Sequence, residues 1–324
     1  DFSKTDIAGF MSAVEEIKQL TESDVKRAVR LIADYELPRE VVPTQLLNSP
    51  NVWAALLPHM GLTAMVRNAA TMTRVGVLSS LSSGEKLFLQ KLGDVQALTK
   101  ARVHPIQMLS ALRTYESGHG ARGTNVWTPN KRISAALEDA FYNCFKFISP
   151  TGKNFYLAID ISGSMSWSEI AGVPGLTPAV ASTVMAMVTA RTEQNYAIRG
   201  FSTSLIDLGI SAKDTLESAT RKTMNQNFGG TDCAQPMLDA IKNRMHVNTF
   251  VVYTDSETYA GTIHPSQALK KYRSAMGINA QLVVVGMTAT GFTIADPKDA
   301  GMLDVVGFDS ATPNIIANFS RGEV

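Results

Sequence analysis

The hydrophobic pattern changes period once along the chain. Up to about residue 150, apolar residues recur three and four apart, the spacing of amphipathic helices. Ile7, Phe10, Met11, Val14, Ile17 and Leu20 form one stripe. Thr21-Glu-Ser-Asp24 offers capping chemistry for a helix carrying Val25, Val29 and Ile32, which stops before Leu37-Pro38. Ser49-Pro50 opens a helix with Trp53, Leu56, Leu57 and Met60, kinked at Pro58 and closed by Gly61. Met65, Ala69, Met72 and Val75 make the next stripe. Pro105 to Ser117 is a helix ended by Gly118, and Thr128-Pro129 starts a last one running to about Phe147. Its inward positions are Ile133, Leu137, Phe141, Cys144 and Phe145. Paired helices with short polar links predict an α-solenoid segment over residues 1–150.

From Lys153 onward, strands and helices alternate. Strands are expected at 155–161, 196–201, 205–208, 250–254, 281–286 and near 303–308, with helices at 177–193, 214–225, 234–244, 264–276 and 313–318. Phe155–Ile159 and Phe250–Thr254 are almost continuously apolar, as strands buried on both faces of a parallel sheet are. This alternation predicts a doubly wound, Rossmann-like α/β sheet over residues 151–324. The fold class is therefore α plus α/β, with the boundary near residue 150.

Composition narrows the picture. Apolar residues make up 45% of the 324, enough for a real core, and no apolar run approaches the roughly 18 residues a membrane span needs. Cys144 and Cys233 are the only cysteines, too few for a disulfide framework, so a cytoplasmic location is expected. The net charge of +1 is unevenly spread. Residues 51–150 carry eleven Lys and Arg against five Asp and Glu, a net of +6, while residues 1–50 and 151–324 are at −3 and −2. A basic helical segment permits contact with phosphates. The long loop Tyr115–Trp127, with three glycines, His119, Arg122 and Trp127, adds a cation and an indole that could grip a single strand. Packing of Trp127 beneath the loop, with His119 bonded to backbone, is the competing reading.

The chemistry concentrates where apolar runs stop. Asp160-Ile-Ser162-Gly-Ser164 follows the first expected strand, so a carboxylate and two hydroxyls fall just past a strand end, where open α/β sheets place ligands. Gly229-Gly-Thr231-Asp232 offers another hydroxyl on a glycine-hinged loop, and Asp255 ends a second buried strand. An all-oxygen set with few carboxylates suits Mg²⁺ before Ca²⁺ and argues against Zn²⁺ or copper. The ordered set resembles the metal-ion-dependent adhesion site of von Willebrand factor A domains. There is no P-loop motif. Ser162 stands where a phosphohydrolase would need a second carboxylate, and no histidine lies in these motifs, so a noncatalytic protein is expected.

A wider resemblance joins the two halves. Ser49-Pro-Asn-Val-Trp53, Met60-Gly-Leu-Thr63, Gly118-His-Gly-Ala-Arg-Gly123, Asp160-Ile-Ser-Gly-Ser164, Gly229-Gly-Thr-Asp-Cys233 and Gly291-Phe-Thr-Ile-Ala-Asp-Pro297 occur in the order of the Ro autoantigen family, which the chain resembles over essentially its whole length. That resemblance implies HEAT-like repeats of the TROVE type followed by a von Willebrand A domain. It also implies binding of small Y RNAs and of single-stranded 3′ ends of misfolded noncoding RNAs. Against the family pattern, the chain is expected to lack much of the N-terminal part of the helical ring. The resemblance further implies that Ser162, Ser164 and Thr231 ligate a divalent cation directly and that Asp160 and Asp255 act mostly through water, with Asp232 a supporting group and a partner protein's carboxylate or water completing the coordination. From the basic segment, Arg67, Arg74, Lys100, Arg102, His104, His119 and Arg122 are the candidate RNA contacts. A metal-dependent protein-interaction module without RNA binding is the alternative.

Overall fold

The computed structural model describes residues 4–120, 124–224, 226, 229–255, 260–287 and 293–324. The chain divides into two compact units, Asp1–Val103 with Met108–Cys144, and His104–Gln107 with Phe145–Val324.

The first unit is helical: α1 (Lys4–Lys18), α2 (Val25–Tyr35), α3 (Pro50–Leu56), α4 (Leu62–Arg67), α5 (Ala69–Arg74), α6 (Ser83–Gly93), α7 (Val95–Ala101), α8 (Pro105–Ser117, its first turn in the second unit) and α9 (Lys131–Cys144). Neighbours pack in pairs: α2 against α1 and α3, and α9 against α6 and α7. The largest buried side chains there are Trp53, Tyr115, Phe88 and Phe141. Trp53 also donates its indole N–H to the Leu47 carbonyl at 2.7 Å, which satisfies the one polar atom it buries.

Several sequence expectations need correction here. In α1, Val14 and Ile17 are buried, but Ile7 and Met11 are 53% and 52% exposed, so the stripe is inward only in its second half. The third helix ends at Leu56 rather than kinking at Pro58, because proline cannot donate the next helical bond. Lys91 then gathers the loose carbonyls of Leu57, Pro58 and Met60 at 2.8–3.1 Å. Gly61 does not close that helix; it precedes α4 in an extended conformation. The stripe from Met65 to Val75 is split at Asn68, whose side chain donates to the Ala64 carbonyl and competes with the helical ladder. Helices α6 and α7 were not anticipated, although both carry start signals. Ser82 accepts from the Glu85 N–H and Asp94 from the Ala97 N–H. The final helix stops at Cys144, followed by a short 3-10 turn over Phe145–Phe147.

The second unit holds β1 (Asn154–Asp160), β2 (Asn195–Phe201), β3 (Leu205–Asp207), β4 (Thr249–Thr254), β5 (Gln281–Gly286) and β6 (Met302–Val306) in the sheet order β3-β2-β1-β4-β5-β6. All pairs are parallel except β2 with β3, so the edge is a hairpin on an otherwise doubly wound sheet. Helices α10 (Ser164–Trp167), α11 (Pro178–Thr192), α12 (Leu216–Met224), α13 (Gln235–Lys242), α14 (Pro265–Met276) and α15 (Thr312–Arg321) complete it. β1 and β4 are buried almost throughout, in keeping with their uninterrupted apolar runs. One face of the sheet packs Tyr156, Phe250, Leu282 and Val284 on Met237, Leu269 and Tyr272. α11 touches β1, β2 and β4 and also α12 and α15, which is why it is apolar on nearly every side. The chain leaves β1 toward β2 and later returns on the other side to β4. The switch point of the topology therefore lies between the C-terminal ends of β1 and β4.

Candidate metal centre and basic helical surface

The β1–β4 register sets the first part of the site. Ile159 pairs with Tyr253, so Asp160 comes level with Thr254 and Asp255 lies one residue beyond. The Thr254 hydroxyl donates to Asp160 Oδ2 at 2.7 Å, and the Ser162 N–H donates to Oδ1 at 2.8 Å. Both carboxylate oxygens are thus engaged by protein. Ser162 Oγ lies 3.1 Å from Ser164 Oγ, with Ser162 buried and Ser164 exposed on α10. The loop carrying Thr231 is pinned from both sides. Asp232 N–H donates to the Ser202 carbonyl past β2, and Ala260 N–H donates to the Thr231 carbonyl past β4. Three loops therefore meet at the C-terminal edge of the sheet.

Glycines make the closeness of these loops possible. Gly261 sits at φ +94, and a Cβ there would stand 2.6 Å from the Asp232 carboxylate. That carboxylate accepts from the Ala234 N–H at 3.1 Å and from the Gln235 side chain at 2.8 Å. Asp232 thus braces the Thr231 loop against the start of α13.

Asp160 is fully buried, and burial pushes its carboxyl up. Bonds from Ser162 and Thr254 pull the other way, the nearby Asp255 charge pushes up again, and the value settles at about 6. Asp160 takes part in no ion pair with Lys, Arg or His among the described residues. A cation is a charge that such an environment could accommodate. Ser162, Ser164 and Thr231 supply hydroxyl oxygens that could hold one, while the engaged carboxylate of Asp160 is better placed to act through water. Among the described residues no group of three or more His, Cys, Asp or Glu converges, and hydroxyl oxygens are ligands of the kind hard ions accept. Thr254 was missed in the sequence. Its signal was the Thr-Asp pair ending a buried strand.

The basic candidates divide. Arg67, Arg74, Lys100, Arg102 and His119 are exposed, and Arg74 reaches Asn48 at 3.4 Å. Arg102 takes a left-handed conformation where α7 ends. His104 changes character: burial pushes its imidazole down to about 4, against the pull of Asp309, and Nδ1 accepts from the Ile106 N–H. A neutral ring brings no charge to a phosphate, so the physical reason for its candidacy is lost. His119 lies 3.3 Å from the Gly120 carbonyl, and the Trp127 indole N–H donates to the Tyr115 carbonyl, so the loop ties the polar edges of both side chains to backbone. Arg122 lies outside the described residues, as does the Gly291-Phe292 pair of the sequence motifs.

The sheet order and converging loops define a von Willebrand factor A type domain behind a helical segment. Comparison with known proteins carries this further. A sequence model of the Ro60 vWA domain matches residues 154–320, and one of the TROVE domain matches residues 29–114. RNA-binding protein RO60 of Deinococcus radiodurans is 46% identical over 298 residues, which cover 92% of this chain and 56% of that protein. RNA-binding protein RO60 of Caenorhabditis elegans is 39% identical over 310 residues, 95% of this chain and 48% of that protein. The crystal structure of the D. radiodurans RO (RSR) protein superposes with a TM-score of 0.89 at 44% identity, over 99% of this chain and 63% of that one. The chain belongs to the Ro60 family. It spans about half the length of the curated relatives it matches. No helix among the described residues is long and apolar enough to cross a membrane.

Proposed function

We propose that the protein is a noncatalytic RNA-binding component of a ribonucleoprotein, taking small noncoding RNAs of the Y RNA kind and the single-stranded 3′ ends of misfolded RNAs, and that its A domain holds a divalent cation such as Mg²⁺. The observation that carries the RNA reading is the similarity over 92% of the chain to a protein named RNA-binding protein RO60. The net +6 of residues 51–150 and the exposed Arg67, Arg74, Lys100 and Arg102 on the helical unit support it. Such cations bind phosphates with little base readout, by release of counterions. Replacing those four residues together by Gln is expected to weaken RNA retention in a filter-binding series. It should also flatten the salt dependence by roughly 0.7–0.9 of slope for each phosphate no longer neutralised. Equal slopes for the two proteins would place the RNA surface elsewhere.

A protein partner at the metal loop is a second role, favoured by one feature of that loop. Trp167, on α10 just past Ser164, is 84% exposed, and its ring lies so near Gly163 that a Cβ there would stand 3.1 Å away. An indole held against backbone and open to solvent is the usual anchor of an interface. A partner bringing a carboxylate to the cation would cover it.

A further inference from the structure

A groove of about 420 Å³ opens in the helical unit between the end of α5 and the segment leading into α9. It is lined by Thr73, Arg74, Leu78, Val126, Trp127 and Asn130, among others. Its volume falls within the usual few hundred Å³ of small-ligand sites, enough for one nucleotide. The floor is a closed polar network. Tyr115 Oη bonds Thr73 Oγ1 at 2.9 Å and accepts the Asn130 N–H at 3.0 Å, while Asn130 Nδ2 donates to the Leu78 carbonyl and to Glu85 Oε1. Glu85 is fully buried and also receives the Leu81 N–H and Arg132. None of these groups is left to seek a ligand; they fix the shape of the groove.

Trp127 is held on two sides. Its backbone N–H donates to the Gly118 carbonyl at 2.9 Å and its indole N–H to the Tyr115 carbonyl at 2.7 Å. The ring is anchored by its polar edge, and the residue still lines the groove. Beside it, Val126 is 67% exposed and Arg74 brings a cation. A rigid aromatic and an apolar neighbour next to an arginine suit a flat, uncharged ring joined to a phosphate. The sign of the surrounding charge, +6 over residues 51–150, suits an anionic chain.

We propose that this groove is a slot for one unpaired nucleobase of a single-stranded RNA, with Trp127 as the stacking residue and Arg74 on the adjoining phosphate. The proposal rests on the RNA-binding reading and adds to it a base contact that the exposed cations do not supply. Stacking tolerates any base, so the slot selects unpaired over paired nucleotides rather than one sequence over another.

The test uses an unstructured decaribonucleotide carrying one 5-iodouridine at each position in turn, irradiated with the unaltered protein, and mass-spectrometric mapping of the adduct. The expected adduct is on Trp127; bound RNA that crosslinks only elsewhere overturns the slot. As a second measurement, Trp127→Leu is expected to bind the decamer about tenfold or more weakly, the worth of one stacked base, with the salt slope unchanged. Trp127→Phe should recover most of that affinity, and circular dichroism reports whether each variant is folded. Wild-type affinity in a folded Trp127→Leu protein sinks the slot while leaving the RNA reading intact. An unaltered protein that retains no RNA at all sinks both.

Discussion

Among the described residues, each unit of the protein buries one carboxylate completely, and the two are held in opposite ways. Glu85 in the helical unit is surrounded by donors, the Leu81 N–H at 2.7 Å and the Asn130 amide and Arg132 guanidinium at 2.8 Å each. Burial pushes its carboxyl up, but these bonds and the Arg132 charge outweigh burial, and it sits below the usual range. Asp160 in the sheet unit accepts from Ser162 and Thr254, pairs with no Lys, Arg or His among the described residues, and stands above the usual range at about 6. A buried charge that is fully answered from within is architecture. One left short of a countercharge at the open end of a sheet is where a ligand's charge is expected.

The sharpest way to break that contrast is to remove the charges in turn. Glu85→Ala strands the Asn130 amide, the Leu81 N–H and half-exposed Arg132 together, and is expected to cost about 3 kcal/mol, at the upper end for charge-assisted bonds. Asp160→Asn, in a cation-free buffer, removes a charge that burial disfavours and is expected to be neutral or stabilising. Urea denaturation of both variants decides it. Comparable losses would mean that Asp160 is an ordinary structural acid.

Titration separates the two with opposite signs. Glu85 has a folded pKa below its ordinary 4.5, so its contribution is present above that value and is lost as pH falls through the folded one. Asp160 is raised from 3.8 to about 6, so the folded state binds its proton more tightly. Its contribution is full below 3.8 and is lost as pH rises toward 6, on the order of 2–3 kcal/mol. Without divalent cations, the difference in stability between the unaltered protein and Asp160→Asn should therefore grow in the mutant's favour between about pH 4 and 6. A difference flat across that window would show that Asp160 keeps an ordinary pKa.

How much of this could be read from the sequence follows the same division. Strands β1 and β4 were legible because strands buried on both faces leave uninterrupted apolar runs, and the acids that end them stand out against those runs. In the helical unit, register and ends were blurred by choices that depend on neighbours. Asn68 breaks a stripe by bonding a carbonyl four residues back, and α6 begins at a Ser82 cap in a stretch with little apolar contrast. Ile7 and Met11 fit the helical period yet face outward, since period marks a face and not what covers it. His104 was chosen for its charge, which burial removes, a property that no local pattern carries.

The smallest effect bears most directly on the sheet site. If Ser162, Ser164 and Thr231 hold a cation, Mg²⁺ binds the folded chain and not the unfolded one, and stability rises with its concentration. At tenfold over the dissociation constant the gain is about 1.4 kcal/mol, read as a rise in melting temperature. Thr231→Ala should abolish the gain by removing a hydroxyl, and Asp255→Ala should weaken or abolish it by removing a carboxylate that steadies bound water. Glu85→Gln should leave the Mg²⁺ response as it is, because that carboxylate is already answered within the helical unit. A melting temperature of the unaltered protein that does not move across the magnesium series would sink the metal reading. Asp160 would then be a buried acid kept near neutrality by its own surroundings.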